Sequence, residues 1–187
     1  MTARRKPATR HRARAGRTAA GLSPAGTRAT LAPPALRITC SVNGWHQEFT
    51  IAPNDLLLDV LRRAGFTGVK EGCREAECGS CTVLVDGVPV TACYYPAARA
   101  AGKVITTIEG LERDGQLQRL QESFLDAGAV QCGFRTPGMI LAAHALLAHV
   151  PQPTDEEIRT ALDGNLCRCT GYVKILAAVH AAAGRKA

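Results

Sequence analysis

The cysteines constrain this chain more than any other feature. Cys73, Cys78, Cys81 and Cys93 form a C-x4-C-x2-C…C array, and Cys132, Cys167 and Cys169 form a second, looser set. Thiols so close in sequence force the backbone between them into tight loops. A disulfide needs a particular Cα separation and a dihedral near a right angle, which such loops satisfy poorly. A metal centre suits them, because neighbouring thiolates can converge on one point. Eight cysteines in this pattern predict metal ligation in a reducing, cytoplasmic compartment.

The spacing of the first set is that of plant-type 2Fe-2S ligands. Such a cluster has two bridged irons, and each needs two further ligands, so four thiolates complete it. Gly72 and Gly79 flank the loop and permit conformations that wrap N–H groups around the sulfurs. Zinc is the alternative for C-x4-C-x2-C alone, but zinc ligands are usually paired on both sides. Cys93, twelve residues beyond Cys81, favours iron–sulfur.

The net charge of +7 is unevenly distributed. Residues 1–37 hold nine Lys and Arg and no Asp or Glu, which leaves 14 basic and 16 acidic residues elsewhere. The basic excess therefore belongs to a tail, and the rest is near neutral. Arg4-Arg5 is not followed by an apolar stretch, which argues against an export signal. Pro24, Pro33 and Pro34 among small residues favour a disordered extension over residues 1–35, or a translation start assigned too far upstream. Aromatics at 4% offer few stacking platforms for single-stranded nucleic acid. No apolar run approaches the ~18 residues of a membrane span. Neither nucleic acid nor membrane is expected as a partner.

Alternation of Ile38, Cys40 and Val42 with polar residues predicts a strand, turned at Asn43-Gly44 into a second strand carrying Phe49 and Ile51. Residues 56–61 open a short helix ending near Gly65. Strands at 82–85 and 88–90 flank Asp86-Gly87, and a last strand spans 103–108. These elements read as a small β-grasp domain. From Leu111 the period becomes helical, with Leu117, Leu120, Phe124 and Leu125 recurring at helical spacing. Pro137 fits the first turn of a helix over 138–150. Thr154 and Glu157 form a capping box, with Gly164 placed to end that helix, and 173–183 forms the last. Four short helices make an all-α domain, giving an α+β chain.

Cys132, Cys167 and Cys169 each precede a predicted helix, where exposed N–H groups stabilise thiolates. Spacing alone leaves a metal site and a redox pair both open for this set. Cys40 reads as a small buried apolar residue. His144 and His149 lie five apart on one helix, and His11, His46 and His180 are isolated, so no histidine reads as a ligand.

Four stretches carry a family resemblance: residues 72–87 (GCREAECGSCTVLVDG), 105–110 (ITTIEG), 131–139 (QCGFRTPGM) and 164–172 (GNLCRCTGY). Together they resemble the small iron–sulfur subunit of the molybdenum hydroxylases, the xanthine dehydrogenase and aldehyde oxidoreductase family, over about residues 36–183. The resemblance implies a ferredoxin-like domain at 36–110 and a four-helix domain at 111–187, each with one 2Fe-2S cluster. It implies Cys73, Cys78, Cys81 and Cys93 as ligands of the first, and Cys132, Cys167 and Cys169 as ligands of the second. It further implies a large partner that holds molybdopterin and hydroxylates the substrate, with Gln131, Gly133 and Cys169 approaching the pterin. In many relatives a flavin-bearing (FAD) subunit passes electrons onward. No catalytic residue is expected on this chain. A stand-alone ferredoxin-type carrier and a structural subunit with a defective second cluster are the alternatives.

The chain departs from the family pattern twice. Ala76 stands where glycine is common, a mild change if its φ stays negative. Arg135 stands where C-G-x-C supplies the second cysteine. Arginine stays protonated and offers only donors, so it is a poor ligand for iron. Three outcomes are compatible with it: no second cluster, a cluster on three cysteines with an unusual fourth ligand, or a single-base change in an otherwise ordinary subunit.

Overall fold

A computed structural model describes residues 34–113 and 115–184, with the side chains of 111–118 excepted. The basic extension expected over residues 1–35 lies almost wholly outside the described residues.

Two hairpins form where the turn dipeptides require them. Strands β1 (Leu36–Val42) and β2 (Trp45–Ile51) pair antiparallel from Leu36 with Ile51 to Val42 with Trp45. Asn43 and Gly44 between them have φ of 53° and 82°, the left-handed pair that a type I′ turn needs. β3 (Thr82–Val85) and β4 (Val88–Thr91) repeat the device at Asp86 and Gly87. β5 (Val104–Thr106) then enters between the hairpins, parallel to β1 and antiparallel to β3. The sheet order is β2-β1-β5-β3-β4.

β5 is shorter than the 103–108 strand predicted. Thr107 N–H donates to Asn43 Oδ1 at 2.8 Å, and Asn43 Nδ2 donates to Thr107 Oγ1 at 2.9 Å. That lock ends the strand, and the chain enters a 3-10 turn at Ile108–Arg113. Helix α1 (Leu57–Arg63) lays Leu57, Leu58, Val60 and Leu61 on the sheet, in one core with Val42, Val83 and Ile105.

Four further helices follow: α2 (Gly115–Asp126), α3 (Thr136–His149), α4 (Asp155–Leu162) and α5 (Val173–Ala182). Leu120, Phe124, Met139, Leu141, Ile158 and Val179 fill a second core. Burying each such side chain contributes about 1.5–3 kcal/mol before the entropy of ordering it. Leu84 of β3 belongs to this second core, although its strand neighbours Val83 and Val85 belong to the first. β3, buried at all four positions, is thus the shared wall. Among the described residues no helix is long and apolar enough to cross a membrane.

Three expectations require correction. Leu125 faces solvent at 67% exposure, because it lies about 100° or more around the helix from Leu120 and Phe124. Gly164 does not end α4 through a left-handed turn. The helix stops at Leu162, Asp163 caps it in a right-handed conformation, and Asn165 N–H bonds Leu162 O at 2.8 Å. His180 is not isolated, since its Nε2 lies 2.6 Å from Asp155 Oδ1 at the start of α4. The capping box stands as read, with Thr154 N–H donating to Glu157 Oε2 at 2.7 Å and Glu157 N–H to Thr154 Oγ1 at 3.3 Å.

Candidate metal centres

The loop between α1 and β3 curls back on itself. Arg74, Ala76 and Gly79 all adopt left-handed φ, at 60°, 61° and 64°. Successive reversals of this kind turn backbone N–H groups inward. Arg74 is held in place by Glu71 at 2.5 Å and Asp59 at 2.6 Å. Ala76 does not keep the negative φ on which its mildness depended. A left-handed alanine stores about 1 kcal/mol that glycine would not. Ala76→Gly should therefore stabilise the chain by about 0.5 kcal/mol in urea titration, the released strain being partly offset by glycine's extra unfolded-state entropy. An unchanged or lower midpoint would mean the loop relaxes the strain elsewhere.

The curl sets Cys73 beside Cys78, and Cys81 lies beside Cys93. Cys78, Cys81 and Cys93 are buried and Cys73 is half-buried, and all are unpaired. Burial pushes the Cys78 thiol up. Hydrogen bonds from the Ser80 hydroxyl and N–H, from Cys73 and from Arg135 outweigh that and bring it down to about 6. Cys81 is pushed up to about 12 by burial, reinforced by the neighbouring Cys93 and Cys78 and opposed by a backbone hydrogen bond from Cys93. Four unpaired thiols, three of them buried, offer the four thiolate donors that the two irons take, so the donor set fits a 2Fe-2S cluster.

Packing around this loop leaves no slack. A Cβ on Gly72 would lie against Ser80 Oγ, 2.7 Å from Cys78 Sγ and 3.0 Å from Arg135 Nη1. A Cβ on Gly79 would collide with the Gly164 carbonyl, in addition to the strain of its positive φ. Asn165 is the key to that closeness, although within its motif it carries no metal-binding chemistry of its own. It is 4% exposed, and its Nδ2 donates to Gly79 O at 2.9 Å and Thr82 Oγ1 at 3.2 Å. The next residue, Leu166, donates its N–H to Cys78 O at 3.2 Å.

The second set lies on the surface. Cys132 and Cys169 are exposed with their sulfurs 3.5 Å apart, and Cys167 is half-buried. Cys132 is lowered by the Phe134 N–H and by Cys169, and Cys169 is correspondingly raised by Cys132. Cys167 is raised by burial but lowered on balance by Thr170, the Cys169 N–H and the Arg135 cation. Tyr172, left-handed at φ 67°, precedes α5 and folds its hydroxyl back. That hydroxyl accepts from Cys167 N–H at 2.7 Å and donates to Asn165 O at 3.1 Å. Cys132, Gln131, Gly133 and Cys169 line one small cavity together with Cys167 and Arg135. Among the described residues no three or more His, Cys, Asp or Glu side chains gather closely enough to hold a single metal ion.

Arg135 lines the same cavities as Cys132, Cys167 and Cys169, but its guanidinium is turned toward Cys78. It is the N-cap residue of α3, its guanidinium lies 5.5 Å from the Phe134 ring, and Nη1 donates to Cys78 O at 3.3 Å. The side chain thus reaches from the second set toward the first.

The comparisons agree with this arrangement. Residues 40–104 match the 2Fe-2S iron-sulfur cluster binding domain, and residues 107–180 match the 2Fe-2S binding domain. The nicotinate dehydrogenase small FeS subunit of Eubacterium barkeri is 54% identical over 151 residues, covering 80% of this chain and 96% of the relative. The xanthine dehydrogenase iron-sulfur-binding subunit of Escherichia coli O157:H7 is 47% identical over 143 residues, covering 75% and 90%. Quinoline 2-oxidoreductase from Pseudomonas putida 86 superposes with a TM-score of 0.76 at 44% identity, over 80% of this chain and 94% of that one. The aldehyde oxidoreductase from Desulfovibrio desulfuricans superposes with a TM-score of 0.74 at 42% identity, where 79% of this chain covers 17% of that longer one. With an α+β fold of a ferredoxin-like sheet half and a helical half, both matched at this level, the chain belongs to the family of small iron–sulfur subunits of the molybdenum hydroxylases.

Proposed function

We propose that this chain is the electron-transfer subunit of a molybdopterin-dependent hydroxylase or dehydrogenase. It would take electrons from the molybdenum centre of a larger partner and pass them toward a flavin-bearing chain or another acceptor. Cys73, Cys78, Cys81 and Cys93 hold a 2Fe-2S cluster, which accepts and releases one electron at a time. Cys132, Cys167 and Cys169 form the partner-facing set, with Gln131, Gly133 and Cys169 nearest the partner's pterin. Residues 36–110 and 111–187 are the two functional domains, and the eight unpaired cysteines favour the cytoplasm.

One observation carries this reading: a buried thiol loop and an exposed thiol set meet at Cys78 O, which accepts from Leu166 N–H at 3.2 Å and from Arg135 Nη1 at 3.3 Å. A carrier buries one centre from solvent, presents another to a partner and keeps the connection between them short. Phe134, Leu166 and Val173 stand exposed around the outer set at 42%, 50% and 77%, as a docking face would. The structural-subunit alternative draws on Arg135 alone.

Affinity purification of the full-length chain from its native cells tests the proposal. A large chain carrying molybdenum and a fluorescent pterin should accompany it. A lone chain with a 2Fe-2S EPR signal would instead establish a stand-alone carrier.

A further inference from the structure

Arg135 is the charged group that the proposed function leaves unused. Its guanidinium is half-buried and lies between the two thiol sets. The loop's own arginine, Arg74, is neutralised by Glu71 and Asp59. Among the described residues no carboxylate forms an ion pair with Arg135. Its charge therefore faces the Cys78 side of the first set as well as Cys167 of the second, with no carboxylate against it. Gly72 makes the approach feasible, since any Cβ there would come within 3.0 Å of Arg135 Nη1 and 2.7 Å of Cys78 Sγ. The guanidinium nitrogen and the sulfur thus flank the same small space.

We propose that Arg135 sets the reduction potential of the first centre, through its hydrogen bond to Cys78 O and its cation beside the Cys78 sulfur. This rests on the first set holding a 2Fe-2S cluster. Reduction adds one electron to that cluster and no atoms, so the reduced form carries one more negative charge. A fixed cation a few ångströms away stabilises the reduced form more than the oxidised one, and a donor to a ligand's carbonyl acts in the same direction. The residue that removes a ligand position from one centre therefore makes the other a better electron acceptor.

The test is an EPR-monitored redox titration of the full-length, anaerobically reconstituted chain, with dithionite as the electron donor. Arg135→Gln and Arg135→Leu should each disfavour reduction of the first centre on the order of tenfold, a fall of about 59 mV for one electron. Arg135→Lys keeps the charge and should stay near the wild type. Arg37→Gln removes an exposed cation that pairs with Glu48 at 2.9 Å and should leave the potential unchanged. An unchanged potential in both neutral variants overturns the proposal. So does a fall in Arg135→Lys or Arg37→Gln as large as theirs. Absence of any 2Fe-2S signal in the wild type would instead overturn the cluster assignment itself, which separates the two failures.

Discussion

Arg135→Cys should raise the iron content of the anaerobically reconstituted chain from about two atoms to about four, each 2Fe-2S centre contributing two. In the native chain the second set offers only Cys132, Cys167 and Cys169. Arginine cannot complete it, because a guanidinium has five donors, no acceptor and a permanent charge. Nor is the side chain turned that way, as its Nη1 is engaged by Cys78 O at 3.3 Å. Cysteine at the same N-cap would place a short thiol beside α3, where the first-turn N–H groups favour a thiolate. Reduction of the variant should show two distinct EPR signals where the native chain shows one. Four irons and two signals in the native chain would defeat this expectation, and would mean that three thiols and a non-cysteine ligand suffice.

Asn165→Leu should be strongly destabilising. Leucine branches at the same carbon as asparagine, but its two methyl groups are bulkier and cannot donate. The substitution removes both Nδ2 hydrogen bonds, to Gly79 O and Thr82 Oγ1, from a position that is 4% exposed. Each buried polar group deprived of a partner costs about 1–3 kcal/mol, although Gly79 O retains Thr82 as a donor. A bulkier, branched side chain would also press on Gly79 and Gly138, which pack here without room for a methyl group. A loss of about 3 kcal/mol is expected, a large share of the 5–15 kcal/mol that holds a typical domain. Urea unfolding and visible absorbance should both report it, because the Cys78 loop loses its support with the helices. A midpoint within experimental error of the native one would show that the packing around Asn165, rather than its amide, carries the closeness.

What the residues disclosed in advance follows the range of the interactions. Asn43-Gly44 and Asp86-Gly87 encode their turns within two positions, so both hairpins were legible. The position of Cys73, Cys78 and Cys81 on one loop was legible because they lie within nine residues of one another. The sheet order was not, since the parallel pairing of β1 with β5 joins residues some sixty positions apart and depends on Asn43 reaching Thr107. The left-handed φ of Ala76 depends on the whole curl of the loop rather than on its neighbours. Arg135 was legible as a misfit but not in its direction, which requires knowing that Cys78 lies above α3. His180 with Asp155 and Asn165 with Gly79 are contacts at 25 and 86 positions, beyond the reach of any periodicity.

The Asn165 and Leu166 contacts also decide how separable the two halves are. Severing the chain near residue 110 would strip Cys78 O of both its donors and Gly79 O of its amide partner. Leu84, whose packing belongs wholly to the helices, would become an apolar side chain open to water in the middle of β3. The sheet half is thus not a small ferredoxin with an appendage. The helices are part of the insulation of its thiol loop, and an excised sheet half would let solvent and oxygen reach sulfurs that the intact chain keeps dry.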